Sequence, residues 1–427
     1  MKRLAFELFK YMLLLTGTTA LLTSAFVRAA PLRASVTFQQ ALRLMVKNDL
    51  AVKIQKTKLN IAHEKLVGSV GAFLPMVSTS YSKQNWLGTP EDSYSIGANI
   101  NVFHWGADVA KYRSARFDIR ARKATFTDSK LNAEAAACKA LFQWMQESQI
   151  LAAYGRSEKS AQLNHSIAIE RYKRGYLSAE ELDKVTLDLA NVRALRAQTQ
   201  SNLAQARETV RSLLGSDRIT DKWPWRRQIL GLNLNQFDRL RGIRALKVRP
   251  DYLAAKAQLN EENWLVRSSR RKVLPSIDLN YSQSKYNYNN QGFGGWSTGV
   301  TVSIPLFNGL QDETSYKSAV QSRAAAEFQL QQLERDIRSE QSEAKTNFKI
   351  AVDQYKNSLI DLGLAKRLLA ADTSRFRLGR ATADDLNLDL TRVTDSKRLA
   401  IQSIERAHMA YVDLLHAFGE SVFNRIR

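Results

Sequence analysis

Three sets of residues have the types and spacing for chemistry. Glu405-Arg406-Ala407-His408 has the Glu-x-x-His spacing found in di-iron helix bundles. Such a centre needs two of these motifs with further glutamates, and this sequence offers one. Cys138 is the single cysteine, so an intramolecular disulfide is impossible. It sits in a helical stretch without a plausible histidine partner nearby, as a small packing residue does. The third set is acidic. Asp384 and Asp385 follow Gly379, Glu181 follows Gly175, and Asp389 comes four residues after Asp385. Acids at a helix start complement the macrodipole. No glycine-rich phosphate loop, nucleophile elbow or metal cluster is present, so neither an enzyme nor a cofactor is expected.

The elements that would position these residues are helices interrupted by two strand pairs. Phe73-Leu74-Pro75 opens the first pair and Val273-Leu274-Pro275 the second. Alternation of polar and apolar residues predicts strands at about 76–86, 93–104, 276–288 and 296–307. Gly88 to Asp92 reads as one turn, and the Asn/Gly-rich run 289–295 as a flexible loop. Each strand has about the ten residues a tilted transmembrane strand requires. Tyr81, Trp86, Tyr94, Phe103 and Trp105 lie toward strand ends, where an interfacial aromatic girdle would put them.

Around the hairpins the pattern is helical. Residues 37–72 predict one helix. From Ala107 to about Lys173 only Gly155 breaks the absence of glycine and proline, giving a rod of about 100 Å at ~1.5 Å per residue. Arg174-Gly175-Tyr176-Leu177-Ser178 ends it, and Ser178 with Glu181 has capping-box spacing. A second helix then runs to Gly215. The order restarts at Arg249-Pro250-Asp251, with a long helix over 310–377, a break at Gly379 and a last helix over 382–418. Pro75 maps on Pro275, while Phe103, Arg171, Gly175, Leu182 and Gly215 map on Phe307, Arg375, Gly379, Leu386 and Gly419. The chain thus divides into 30–215 and 235–427, two copies of helix, hairpin, long helix and helix, joined by a linker at 216–234. In the last helix Leu386, Leu390, Val393, Ala400, Ile404, Ala407, Tyr411, Leu414 and Phe418 fall at steps of three and four. Lys397 is the one polar intruder. That spacing makes a coiled-coil seam.

Residues 1–29 read as a signal peptide: Lys2 and Arg3, an apolar stretch over 12–22, then Val27-Arg28-Ala29. An uncleaved anchor is the other reading. The formal net charge of +22 favours a polyanionic neighbour such as anionic lipid. Without a basic block or a nucleic-acid motif, nucleic acid is not an expected partner.

Four strands cannot close a membrane barrel, and an open sheet edge in lipid leaves backbone groups unpaired at several kcal/mol each. Two chains would give eight strands and three would give twelve. The physical expectation is an oligomeric pore in outer-membrane lipid with a long helical conduit. The alternative is a soluble basic coiled-coil protein, structural or membrane-remodelling.

The Leu-Pro pairs, the run Ile304-Pro305-Leu306-Phe307-Asn308-Gly309 and the two glycine breaks resemble the TolC-type outer-membrane efflux protein family. The resemblance covers essentially all of the chain after residue 29. It implies a mainly α fold with a membrane β-barrel portion: a homotrimer, a twelve-stranded barrel and an α-helical tunnel extending into the periplasm. It also implies a passive exit duct for efflux or type I secretion, docked to a periplasmic adaptor protein and an inner-membrane transporter. In the family the helix breaks are periplasmic tips, and an acid six positions after the break glycine lines the closed entrance. Asp385 and Glu181 hold that position, with Asp384 alongside. The second acidic position meets Leu388, with Asp389 one residue late. Phe376 stands where the family's tip network has an aromatic residue, and it lacks a hydroxyl.

Overall fold

The computed structural model describes residues 38–86, 89–215, 246, 248–288, 291–378, 380 and 382–424. The signal-peptide expectation, the 216–234 linker, Thr37 and Gly379 lie outside the described residues.

Among the described residues, seven α-helices and four strands carry the fold. Helices α1 (Phe38–Asn48) and α2 (Leu50–Val70) lead into β1 (Met76–Trp86) and β2 (Thr89–Phe103). Helix α3 (Ala107–Lys173) and α4 (Ala179–Leu214) follow. Then come α5 (Pro250–Arg271), β3 (Ser276–Tyr288), β4 (Gln291–Ser303), α6 (Gln311–Arg377) and α7 (Ala383–Ala417). α3 and α6 are each 67 residues long, about 100 Å at ~1.5 Å per residue.

Three expectations need correction. The helix over 37–72 is two helices. Asp49 leaves helical geometry at ψ 126°, and its carboxylate accepts the Val52 N–H at 2.9 Å. Asn48 donates its side-chain amide to the Leu214 carbonyl at 2.6 Å. Two short polar side chains that bond backbone therefore break a run that apolar spacing alone reads as continuous. The second strand starts at Thr89 rather than 93, with Pro90 opposite Asn85. Proline is tolerated there because β3 reaches only to Glu91 on that side, so no second ladder needs its missing N–H. The fourth strand spans 291–303 rather than 296–307. Gly292, Gly294 and Gly295 pair with Asn287, Lys285 and Ser284 through backbone alone, and Pro305 lies just past the strand end.

The sheet order is β1-β2-β3-β4, antiparallel throughout, so β1 and β4 are its two edges.

The helical body packs α3 against α2, α4, α5 and α7, and α6 against α5 and α7. Its core includes Phe142, Phe348, Leu141, Ile337, Leu414 and Leu415, all fully buried. Phe348 packs on Tyr411 with ring centroids 5.6 Å apart, and Phe142 sits between Phe38 and the stacked His408 ring. Cys138 is buried here, and burial pushes its thiol up.

Candidate functional site

The register sorts the sheet into two chemically distinct faces, since successive side chains alternate. Val77, Ile96, Ala98, Ile100, Leu279, Tyr281, Trp296 and Val300 share one face. Several of these are well exposed; Val77 is 69% exposed, Trp296 71% and Val300 68%. The other face includes Ser78, Ser80, Ser95, Gly97, Asn99, Asn280, Ser282, Ser297 and Thr301, with Met76, Tyr286 and Phe293 at its ends. Hydrogen bonds tie it across strands: Ser80 to Ser95 at 2.7 Å, Asn99 to Asn280 at 2.6 Å, Asn280 to Thr301 at 2.7 Å and Ser282 to Ser297 at 2.9 Å. Lys83, Asp92, Gln283 and Lys285 lie on the first face toward the hairpin ends; nearer the helices an exposed apolar face backed by a polar one is the make-up of a membrane barrel wall, lipid outside and water inside. Among the described residues no helix is long and apolar enough to cross a membrane.

At the far end of α3 the chain turns by one motif. The Tyr176 N–H donates to the Arg171 carbonyl at 2.9 Å and the Gly175 N–H to Tyr172 at 2.9 Å. Gly175 sits at φ +76°, left-handed geometry that glycine adopts without a Cβ penalty. Ser178 then caps α4: its hydroxyl accepts the Glu181 N–H at 3.2 Å, and the Glu181 carboxylate accepts from the Ser178 N–H at 2.9 Å. At the end of α6 the Arg380 N–H donates to Arg375 at 2.8 Å, the same five-residue span as Tyr176 to Arg171. Thr382 caps α7 and receives the Asp385 carboxylate in return, at 3.0 Å from its N–H and 2.7 Å from its hydroxyl.

These bonds fix the state of both acids. The Thr382 hydroxyl and N–H hold the Asp385 carboxyl below its ordinary range. The N–H and hydroxyl of Ser178 do the same for Glu181. Both side chains are exposed, so both present charge to solvent. The two turns meet: Glu181, Leu177, Thr382 and Leu386 line one cavity of about 130 Å³, and Asn164 donates to Asn387 at 2.8 Å beside it. Asp384 lies in the first turn of α7. Asp389 differs from the other acids. It is 3% exposed, bonds Arg392 at 2.7 Å through Oδ1, and keeps Oδ2 buried without a partner. Burial and the facing Asp372 carboxyl on α6 push Asp389 up. The Asp389–Arg392 spacing is visible in sequence, but Asp372 is brought in only by the pairing of α6 with α7.

The Glu405–His408 pair is buried in the body, with Oε2 3.3 Å from Nδ1. Among the described residues no group of three or more His, Cys, Asp or Glu side chains could hold a metal ion.

Residues 69–216 and 243–413 match the family model described as outer membrane efflux protein. The chain belongs to the outer membrane efflux protein family. It is an outer-membrane protein of a family of efflux channels, which are not enzymes, and the soluble coiled-coil reading is set aside. No curated protein sequence matches the chain. Solved structures share the fold. The CmeC outer membrane channel of Campylobacter jejuni superposes with a TM-score of 0.77 at 16% identity, covering 89% of this chain and 85% of that one. The outer membrane protein VceC of Vibrio cholerae gives 0.75 at 14% identity, over 89% and 95% of the two chains. The open state of the MtrE outer membrane channel of Neisseria gonorrhoeae gives 0.75 at 17%, over 90% and 89%.

Proposed function

We propose that three copies of this chain form a passive exit duct across the outer membrane. An inner-membrane transporter and a periplasmic adaptor protein deliver its substrates. The carrying observation is the four-stranded sheet, with two open edges, one apolar face and one polar face. Lipid suits the apolar face only if the edges are paired. Three sheets joined β4 to β1 make twelve strands and leave no edge.

In this reading the turns at Gly175 and Gly379 are the periplasmic tips. They lie about 100 Å from the sheet along α3 and α6 by the ~1.5 Å rise per residue. Asp385, with Asp384 and Glu181 near it, supplies carboxylates around the threefold axis, where their fields add. Asp389 is a reserve acid that reaches the lumen only if α6 and α7 part.

Planar-bilayer recording tests both levels. The purified assembly should conduct, with block by a trivalent cation added on the periplasmic side. Asp385→Ala should change the single-channel conductance and weaken that block by about tenfold or more, the scale of losing charge-assisted contacts. Asp385→Asn keeps a capping oxygen but removes the charge, and should match Asp385→Ala in block. A substituted channel blocked like the parent would make Asp385 a helix-start residue only.

A further inference from the structure

Between α3, α6 and α7, past the midpoint of α3 toward Gly175, lies a half-open cavity of about 640 Å³. That is within the size range of small-molecule sites. Its middle is apolar, walled by Leu359 and Leu362 of α6 and by Ile401 and Ile404 of α7. Its two ends are polar and different.

The end nearer Gly175 carries one cation from each helix: Arg156, Lys366 and Lys397. Among the described residues none of the three is paired with a carboxylate. The acids flanking the site on α7 are engaged elsewhere, Asp395 with Arg398 at 3.6 Å and Glu405 with His408 at 3.3 Å. Burial, then Arg156 and Lys366, pull the Lys397 ammonium below its ordinary range, as expected where cations crowd; Asp188 of α4 shares a neighbouring cavity with Arg156 and Lys397. Lys397 is also the residue that interrupts the apolar seam of α7, so the sequence carries a charge where packing asks for a hydrocarbon.

The other end is closed by His408, which is 2% exposed. Its ring stacks on Phe142 with centroids 4.9 Å apart, and Nδ1 faces Glu405. Its Nε2 is buried with no hydrogen-bond partner. A buried polar atom without a partner costs stability. The His408 ring lines the cavity, with Nε2 itself closed off from it.

We infer that this cavity binds a small amphiphilic organic anion, with its acid group between Arg156, Lys366 and Lys397 and its apolar body along Ile401, Ile404 and Leu359. The far end of the ligand lies against the His408 ring. Neither an inorganic anion nor a neutral hydrocarbon satisfies both the cationic and the apolar part of the site. The inference rests on the cavity itself and not on the exit-duct reading.

The probe is 4′-hydroxybiphenyl-4-carboxylate, a rigid molecule with a carboxylate at one end and a hydroxyl at the other. Isothermal titration calorimetry is run on the full chain assembled in nanodiscs of zwitterionic lipid, against empty nanodiscs. Saturable binding at one site per chain is expected. Lys397→Gln should weaken it about tenfold, the usual scale for one charge-assisted hydrogen bond. Lys366→Gln, at an exposed position with little bearing on folding, should do the same. Ile404→Trp fills the apolar middle and should abolish binding, and 4-hydroxybiphenyl should bind at least about tenfold more weakly than the acid. Binding no greater than to empty nanodiscs overturns the inference. So does an affinity that the lysine substitutions leave unchanged.

Discussion

Leu414→Asp is expected to remove the assembled protein from the outer membrane. Leu414 is 1% exposed on α7, in the stretch where Tyr411 packs on Phe348 and the Lys345 ammonium lies 5.0 Å from the Phe418 ring. Truncating a buried leucine alone costs about 2–5 kcal/mol. Aspartate adds a carboxyl that must be desolvated without a partner, so the total is several kcal/mol. Whole-domain stabilities are only about 5–15 kcal/mol, so a loss of that size depletes the folded chain. Heat-modifiable migration on gels and outer-membrane fractionation read the outcome. Leu414→Met, which conserves volume, should assemble normally at a cost under about 1.5 kcal/mol. Equal yields of the aspartate variant and the parent would show that this seam does not hold the body.

Arg249→Met is expected to lower the melting temperature and flatten the acid dependence of stability. Arg249 is 5% exposed at the start of α5. Its guanidinium donates to Asp251 at 2.7 and 3.0 Å, to Glu340 at 2.7 Å and to the Ala417 carbonyl at 2.8 Å. One side chain therefore joins α5, α6 and the end of α7. The neighbouring Gly419, at φ +68°, allows this approach: a Cβ there would lie 3.2 Å from the Arg249 Cα. Breaking a buried pair by deleting one partner costs about 3–5 kcal/mol. Glu340 keeps some water here, which puts the expected loss near the lower end. The His416 hydrogen bond, then the Arg249 charge, hold the Glu340 carboxyl below its ordinary range. A depressed carboxyl stabilises the fold above its unfolded pKa, and that stability is lost as pH falls through the folded value. The parent should therefore lose melting temperature on acidification across that window, and Arg249→Met should lose less. Loss of helical circular dichroism on heating, at several pH values, checks both effects. Parallel pH curves for parent and variant would remove Arg249 from the account.

Most of the fold was legible because its signals are periodic. Long runs without proline and with a single glycine each, Gly155 and Gly363, gave α3 and α6 to the residue or nearly so, and Ser178 with Glu181 announced a capping box from spacing alone. The strands were visible where side chains alternate and lost where they do not. Gly292, Gly294 and Gly295 pair through backbone, which leaves no pattern in side-chain type. The Asp49 break escaped because its cause is a capping bond within a run that stays apolar-periodic on both sides. The acids were harder. Asp385 and Glu181 could be placed at helix starts from sequence, and both carry the capping bonds that placement implies. Asp389 looked like one more acid of the same group. Its burial against Asp372 depends on how α6 pairs with α7, across many residues of chain. The three cations at the cavity are further apart still, one from each of three helices, and only Lys397 stood out as an intruder in its seam.

Pairing of the sheet edges between copies is read directly by disulfide trapping. Cys138 is buried, so cysteines placed on the strands report alone. Ser80 of β1 would be replaced by cysteine and combined, one at a time, with cysteine at Ser297, Gly299 or Thr301 of β4. A disulfide requires Cα atoms within about 7 Å, so only a true edge-to-edge register closes. At least one pair, oxidised in intact outer membranes, is expected to give covalent dimers and trimers that neither single-cysteine chain gives. Chains that reach the outer membrane yet form no intermolecular link at any of these registers would contradict it.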